Sequence, residues 1–447
     1  MVLDEVGDHR EARRNAILLG LMFGLASMGS SSAAVALPAV AEHFDLGLGV
    51  VAWTVSIYVL FLAVSTAVYG RVADLVGVRV PLSFGVSLMT AGAVAAAFAP
   101  TFEILLLARA FQGAGAAAVP TLGVTLISAR YSGSVRGLAL GWLAALGAVV
   151  SGLGPLLGGI TETTLGWRAV MALPLLGLMV LPMLWPILAG GGSGSRLDVL
   201  GAVLVAVTSA GLVLLVQSPS TGLAVAGTGA ALLLVGGTMV VRHVRRNPLG
   251  FLPHAVICNG RVVRPALAAA AAPSCWFALV VAVPAVLVEE GWATWQVGLL
   301  LLPGAVLALW VPRLVSRLLA TWGGPTVIAI STLFSAVALG VASVGLALSD
   351  PLLVGLAAVI LAVSFGMGQP ALMTTVGETV DADVRGVALG VATLVFLVGG
   401  SVGSAAVGGL GGVIGVPVTV ACLVLVPALG LLAILVDVRH DRAAAAG

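Results

Sequence analysis

The sequence holds 447 residues, 60% of them hydrophobic and only 9% charged, with a mean hydropathy of +1.19 and a formal net charge of +2. That composition excludes a soluble domain of this size, and so small a net charge gives no basis for a nucleic-acid partner. Three scattered cysteines, Cys258, Cys275 and Cys422, and five scattered histidines lack metal or redox spacing, so no cofactor and no metal are expected.

A bilayer crossing takes about 20 mostly apolar residues in one helix, with every backbone polar group paired inside it. Alternating ten-residue strands of the barrel type do not occur in the sequence, so helices are expected throughout. The first segment, 16–39, follows Arg10, Arg13 and Arg14 and belongs to an apolar run from Ala16 to Val40. That run is too long for a cleaved leader and reads as a retained first helix. Further segments follow at 50–70, 80–99, 102–128, 137–160 and 168–189. A Gly/Ser-rich link, AGGGSGSRLD, leads to two more at 199–217 and 223–241, and a polar-flecked connection covers 242–263. Six last segments lie at 264–288, 297–316, 325–347, 351–376, 386–410 and 415–436, which makes fourteen helices.

Arginine placement supports the count. With the N-terminus cytoplasmic and the spans alternating, 18 of the 20 arginines fall in cytoplasmic loops or tails. Only Arg168 falls outside, and Arg109 lies within helix 4. A miscounted span would scramble this pattern downstream of the error. An internal repeat divides the chain: VRGLALG at 135–141 returns as VRGVALG at 384–390, a shift of 249 residues that also carries Gly154 onto Gly403. The expected architecture is an all-α polytopic membrane protein with both termini cytoplasmic. An N-terminal six-helix bundle (1–189) precedes two inserted helices with a cytoplasmic connection (190–263), and a C-terminal six-helix bundle (264–447) follows. Two parallel repeats with cargo handled between them form a transporter arrangement.

Three stretches carry chemistry. Between helices 2 and 3, GRVADLVGVRV (70–80) places Gly70, Asp74, Gly77 and Arg79, and its carboxylate suits a helix N-terminus or an arginine partner. Helix 4 reads LLLARAFQGAGAAAVP (105–120). Arg109 then lies about 10 Å deep at 1.5 Å per residue, where a charge is costly and faces a partner or a water-filled cavity. Helix 5 reads SGLGPLLGG (151–159). Pro155 removes a backbone donor and clashes one turn back, while the glycines strip side chains from a face. Gly154, Pro155, Gly158 and Gly159 are therefore expected to make a close, bendable helix contact.

These stretches resemble the signatures of the major facilitator superfamily: Gly-x-x-x-Asp-x-x-Gly in the loop after helix 2, Arg-x-x-Gln-Gly in helix 4, and the Gly-Pro-x-x-Gly-Gly antiporter motif of its drug exporters in helix 5. ALP at 36–38, Trp53 with Tyr58, GWR at 166–168, LDVLG at 197–201 and GLLLLPGA at 298–305 are similar to its fourteen-helix drug:proton antiporter branch. The resemblance implies alternating access, with Gly70, Asp74, Gly77, Arg79 and the helix-5 motif as the conformational switch. It implies a substrate and proton pathway through Arg109 and Gln112, and a monomer. The chain has no lysine and is rich in Ala, Gly and Val, which suits a GC-rich bacterial gene and a multi-pass protein of the bacterial plasma (inner) membrane. Without lysine no phosphate-binding Gly-x-x-x-x-Gly-Lys loop exists, so intrinsic ATPase activity is not expected.

Two departures from that branch stand out. The helix-1 Asp nine residues before the Pro of ALP is Gly29, and the Asn expected after WR is Pro174. None of the 18 acidic residues falls near a bilayer centre, leaving Asp74, Glu103 and Glu378 as proton carriers to consider. Arg109, Gln112, Ser30, Ser31, Ser32, Gln369, Thr374 and Thr375 are the polar groups offered to cargo, with Ser31 and Gln369 added to the expected pathway. Cavities that hold cations tend to carry buried carboxylates, so a neutral or anionic amphiphile is expected over a lipophilic cation. The expected function is export of a hydrophobic or amphipathic small molecule (drug, antibiotic or secondary metabolite) in exchange for protons. The alternative is a lipid or lipid-like flippase or uniporter without proton coupling.

Overall fold

Apolar runs that must pair every backbone N–H and C=O internally fold as helices, and the described chain is almost wholly helical. The computed structural model describes residues 2–188, 198–247, 250–307 and 310–446; the side chains of residues 2–8, 74–75, 134, 382–383 and 439–446 lie outside the description. The side chain of the expected switch residue Asp74 and the Gly/Ser-rich link at 189–197 therefore fall outside the description.

The spans in chain order are α1 (His9–Val35), α2 (Leu48–Ala73), α3 (Arg79–Ala97), α4 (Phe102–Arg130), α5 (Val135–Leu165), α6 (Trp167–Ile187), α7 (Val199–Thr221) and α8 (Leu223–Arg246). The second series is α9 (Gly260–Glu289), α10, α11 (Gly324–Ala347), α12 (Pro351–Thr379), α13 (Val384–Ile414) and α14 (Val416–Val438). Among the described residues thirteen of these are long, apolar helices; α10 consists of two, Thr294–Leu307 and Val311–Trp322, bent by 44°. Fourteen spans that each cross once return the chain to the face where it starts, so the start of α1 and the end of α14 share one face, the terminal face.

The repeat seen in the sequence recurs in the turns. α5 and α13 both end on a glycine with a left-handed backbone, Gly166 at φ 80° and Gly415 at φ 85°, and these two are 249 residues apart. A side chain would be strained in that conformation, so the turn geometry holds glycine at both copies.

α1–α6 and α9–α14 form two six-helix bundles. α7 and α8 pair with one another, and α7 packs on α13 and α2. Asp198 fixes the entry to α7, where its carboxylate accepts from Gly201 N at 2.9 Å and from Phe251 N at 2.8 Å and meets His243 Nε2 at 2.9 Å. Burial raises the Asp198 carboxyl, but those N–H groups and the His243 ring outweigh it and leave it below its ordinary value.

Candidate functional site

Arg109 of α4 is fully buried. Its Nε donates to Thr54 O of α2 at 3.1 Å, Nη1 donates to Gln112 Oε1, and the guanidinium lies 4.3 Å from the centre of the Tyr58 ring. Gln112 Nε2 donates in turn to Met171 O of α6 at 3.3 Å, and Tyr58 Oη to Ala26 O of α1 at 2.7 Å. One arginine thus ties four helices of the first bundle together. A glycine at 113 makes this possible, since a Cβ there would strike the backbone of Tyr58. The charge is balanced by dipoles and an aromatic face rather than by a carboxylate. Arg109 Nη2 and Thr54 Oγ1 have no hydrogen-bond partner among the described residues.

The Gly-Pro stretch of α5 serves two neighbours. Gly154 and Gly158, one turn apart, face α1: a Cβ on Gly154 would meet Ser31 Oγ, and one on Gly158 would lie 2.8 Å from Ser32 Cα. Pro155 cannot donate to Ser151 O four residues back. That carbonyl instead accepts from Ser31 Oγ at 3.2 Å. Ser31, expected on the cargo pathway, stands 4% exposed at this α1–α5 contact. Gly159 faces the other bundle, where a Cβ would lie 2.6 Å from Trp295 Cα of α10. Gly298 reciprocates, its Cβ position 2.5 Å from Pro155 O, and Ala305 meets Gly152. GLLLLPGA and SGLGPLLGG, two motifs far apart in sequence, are therefore one interface.

The second copy behaves alike. The 249-residue shift carries Gly159 onto Gly408, and a Cβ on Gly408 would lie 2.7 Å from Ala52 Cβ of α2. Ser404 replaces Pro155 in this copy, and its hydroxyl meets Ser56 Oγ of α2 at 3.0 Å.

These contacts occupy one end only. Gly141 lies eleven positions before Gly152, so the two share a helix face to about 20°, yet at Gly141 and Gly137 a Cβ would meet nothing within 4 Å. Gly390, five full turns before Gly408, also meets nothing, nor does Gly386. The bundles are joined at the end away from the terminal face and parted at the terminal face.

The remaining expected residues are dispersed. The helix of α2 continues past the span to Val76 and is capped by Gly77 at φ 79°, and Arg79 lies 4.2 Å from the centre of the Trp185 ring. Gly70 packs loosely, its Cβ position 3.8 Å from Thr121 Cγ2. Gln369 is half-buried in α12 without a hydrogen bond among the described residues, and Thr375 Oγ1 donates to Ala371 O at 2.8 Å within its own helix. Glu103 and Glu378 are both exposed. Two groups emerge only in three dimensions. Glu162 Oε2 accepts from Thr294 Oγ1 across the bundles at 2.6 Å. Asp437, 6% exposed, is gripped by Arg264 through Nε at 3.1 Å and Nη2 at 2.6 Å. The repeat alone could have pointed to Gly408, but nothing local marks Thr294 as the partner of Glu162.

The two departures from the expected pattern lie together. A Cβ on Gly29 would stand 3.0 Å from Pro174 Cγ and 3.3 Å from Tyr58 Oη.

The family model described as Major Facilitator Superfamily matches residues 19–404, most of the chain. Efflux pump dotC of Dothistroma septosporum is 33% identical over 152 residues, 34% of this chain and 26% of that protein. The uncharacterized MFS-type transporter YwoD of Bacillus subtilis is 35% identical over 188 residues, covering 40% and 41%. Multidrug resistance protein Stp of Mycobacterium tuberculosis is 36% identical over 149 residues, covering 33% and 28%. The matched stretch thus spans well under half the length of each relative. Two solved structures share the fold: a POT family transporter in complex with 5-aminolevulinic acid (TM-score 0.70, 14% identity, 96% of both chains), and one with a thioalcohol-conjugated peptide (TM-score 0.69, 13% identity, 97% of this chain and 96% of that one).

Proposed function

This chain belongs to the major facilitator superfamily, and on that premise we propose that it exports a hydrophobic or amphipathic small molecule by alternating access, in exchange for protons. It is a multi-pass membrane transporter, not an enzyme. The observation that carries the reading is the one-ended closure. The same faces of α5 and α13 meet the opposite bundle at Gly159 and Gly408 and meet nothing at Gly141 and Gly390. A rocking motion that exchanges the open end for the closed one would carry a cargo across. Relatives named as an efflux pump and a multidrug resistance protein support export as the direction. The arginine-rich loops support a cytoplasmic terminal face in a bacterial plasma membrane, and the protein acts as a monomer in this reading.

Cargo held near Arg109 would be neutral or anionic, since a cation would meet a positive charge that dipoles and an aromatic face screen but no carboxylate among the described residues neutralises. Proton coupling would run through a carboxylate reached from both ends, and Glu162 at the bundle interface joins Asp74, Glu103 and Glu378 as a group to test. One observation favours the second reading, a flippase or uniporter of lipid-like cargo without protons. Among the described residues Asp437 is the one buried acid, and Arg264 already engages it.

The deciding experiment uses proteoliposomes holding a trapped pH-sensitive dye and no imposed gradient. Neutral, anionic and cationic hydrophobic compounds are added in turn. Compound-dependent proton flux supports antiport and names the class. Labelled compound or lipid crossing without proton flux supports the second reading, and no crossing of any kind refutes both.

A further inference from the structure

The two bundles repeat in sequence but differ at their centres. α4 and α12 both follow an oxygen-bearing cap, Thr101 and Asp350, and these caps are 249 residues apart. The same shift sets Ala358 at the place of Arg109, Leu361 at that of Gln112 and Phe365 at that of Ala116. The second bundle therefore has no counterpart of the buried arginine and carries aromatic surface instead. Trp276 of α9, Phe365 of α12 and Phe396 of α13 form a row, with successive ring centres 6.0 Å and 5.8 Å apart and planes tilted by 40° and 51°. Phe396 is fully buried. Phe365 and Trp276 are half-buried, and Trp276 ends the row.

Helix geometry gives the direction of that free end. On α12, Ala362 meets Gly304 of α10 and Gly368 meets Ala272 of α9. At about 100° per residue, Phe365 and Gln369 point between those two neighbours. On α9, Ala272 faces α12 and Phe277 lies over Gly400 of α13, and Trp276 points between them. α10 and α13 are the helices of this bundle that touch the opposite one, so the shared direction is the cleft between the bundles. From Ala271 to Ala285 every residue of α9 is buried except Trp276 and Phe277. Trp276 and Phe365 each lie within about 3 Å of the middle of their spans, and from there the cleft opens to the terminal face.

We infer that Trp276 and Phe365 are the stacking wall of a cargo site on the second bundle, that its ligand is an uncharged planar aromatic compound bearing a hydroxyl or carbonyl group, and that Gln369 and the Trp276 indole N–H meet that group. This rests on the reading of the protein as a transporter of hydrophobic cargo, and it names the class. Aromatic rings add to one another tilted or offset with centres about 4.5–7 Å apart, so a cargo ring on the open face of Trp276 continues the row already built. An indole N–H in a buried setting takes a hydrogen-bond partner. Among the described residues Trp276 Nε1 has none, and the Gln369 amide, one turn from Phe365, has none either. Residues 265–288 of α9, 351–377 of α12 and 386–414 of α13 contain no charged side chain. A charged head seated on this wall would be unpaired at mid-membrane, which narrows the cargo to the neutral class.

The test separates binding from transport. Tritiated 2-naphthol, naphthalene and 2-decalol, the saturated analogue of 2-naphthol, are bound to purified full-length protein in detergent and read by scintillation proximity, with excess unlabelled compound defining the background. The inference expects saturable binding in the order 2-naphthol, naphthalene, 2-decalol. Trp276→Leu should weaken 2-naphthol by about fivefold and leave 2-decalol unchanged, while Trp276→Phe, which keeps a ring, should stay within about twofold of the parent. Phe365→Leu is a second truncation of the wall, so the result does not hang on the folding of one variant, and Trp322→Leu, on an exposed tryptophan at the terminal end of α10, is the control. Gln369→Leu should abolish the advantage of 2-naphthol over naphthalene. No saturable binding of 2-naphthol to the parent, or equal losses of 2-naphthol and 2-decalol in the leucine variants, overturns the inference. Crossing of the same compounds is measured in proteoliposomes. Ring-selective binding without any crossing would fail the transport reading and leave the site standing; crossing of 2-naphthol and 2-decalol alike, without ring-selective binding, would do the reverse.

Discussion

The hydrogen bond between Ser31 Oγ and Ser151 O gives the sharpest test of how the Gly-Pro stretch is built. Proline at 155 leaves the Ser151 carbonyl without its helical donor, and Ser31 of α1 supplies one at 3.2 Å. Removing the hydroxyl by Ser31→Ala strands a carbonyl in a site where the donor side chain is only 4% exposed. Interhelical hydrogen bonds in membranes average about 0.6 kcal/mol, and up to about 1.7. A stranded buried acceptor costs about 1–3 kcal/mol. The expected loss is therefore about 1 kcal/mol. Pro155→Ala restores the N–H, so the helix itself can pair Ser151 O, and the Ser31 hydroxyl becomes dispensable. In the Pro155→Ala background, Ser31→Ala should cost no more than about 0.3 kcal/mol, because Ser31 also lies 3.4 Å from Met28 O, a weak local bond common to both backgrounds. Reversible unfolding by SDS titration, run as a double-mutant cycle, reads the coupling. Equal losses in both backgrounds would refute the assignment of the Ser31 hydroxyl to the orphaned carbonyl.

Other expectations follow from the same contacts. Gly159→Val places branched carbon against the α10 backbone, so transport should fall at least tenfold. Labelling of a cysteine at 294 should rise as the joined end is forced apart; unchanged labelling contradicts the contact. Arg109→Ala should abolish cargo transport with normal membrane insertion, and Arg109→Lys should not rescue it, because lysine cannot reach Thr54 O and Gln112 with a planar fork. Recovery of transport by lysine would mean that charge alone suffices. Asp198 is held below its ordinary value, so its contribution to stability is present above the usual carboxylate pKa of about 4 and is lost as pH falls through the lowered value. A melting profile between pH 7 and pH 3 should therefore drop less steeply for Asp198→Asn than for the parent, and parallel profiles would contradict the linkage.

Helix number and family were legible because each is written locally. An apolar run of sufficient length has one solution in lipid, and the repeat of VRGLALG as VRGVALG announced two copies of one bundle. The contact role of the Gly-Pro stretch was legible as well, for proline and clustered glycines have few uses in a membrane helix. The split of that role was not. Gly158 and Gly159 are adjacent in sequence, yet about 100° apart on the helix; one meets Ser32 of its own bundle and the other meets Trp295 of the other. A serine such as Ser31 looks the same in sequence whether it lines a path or repairs a carbonyl. Only the proximity of Pro155 decides the matter, and that is tertiary information.

The pairing of Gly29 with Pro174 has the same character. Read singly, each is a lost polar residue. In the fold they are neighbours, with the Gly29 Cβ position 3.0 Å from the proline ring and 3.3 Å from Tyr58 Oη. A carboxylate at 29 would have to enter a space the ring already crowds, beside the aromatic face that shields Arg109. The two positions are therefore sterically coupled, and an aspartate at 29 opposite the proline is unfavourable. Gly29→Asp by itself should lower stability without raising proton flux above the parent's, whereas Gly29→Asp with Pro174→Asn should recover much of that stability. If the single variant proves as stable as the parent, the packing argument fails. If the double variant carries more compound-dependent proton flux than the parent, a carboxylate at position 29 can take part in coupling in this fold.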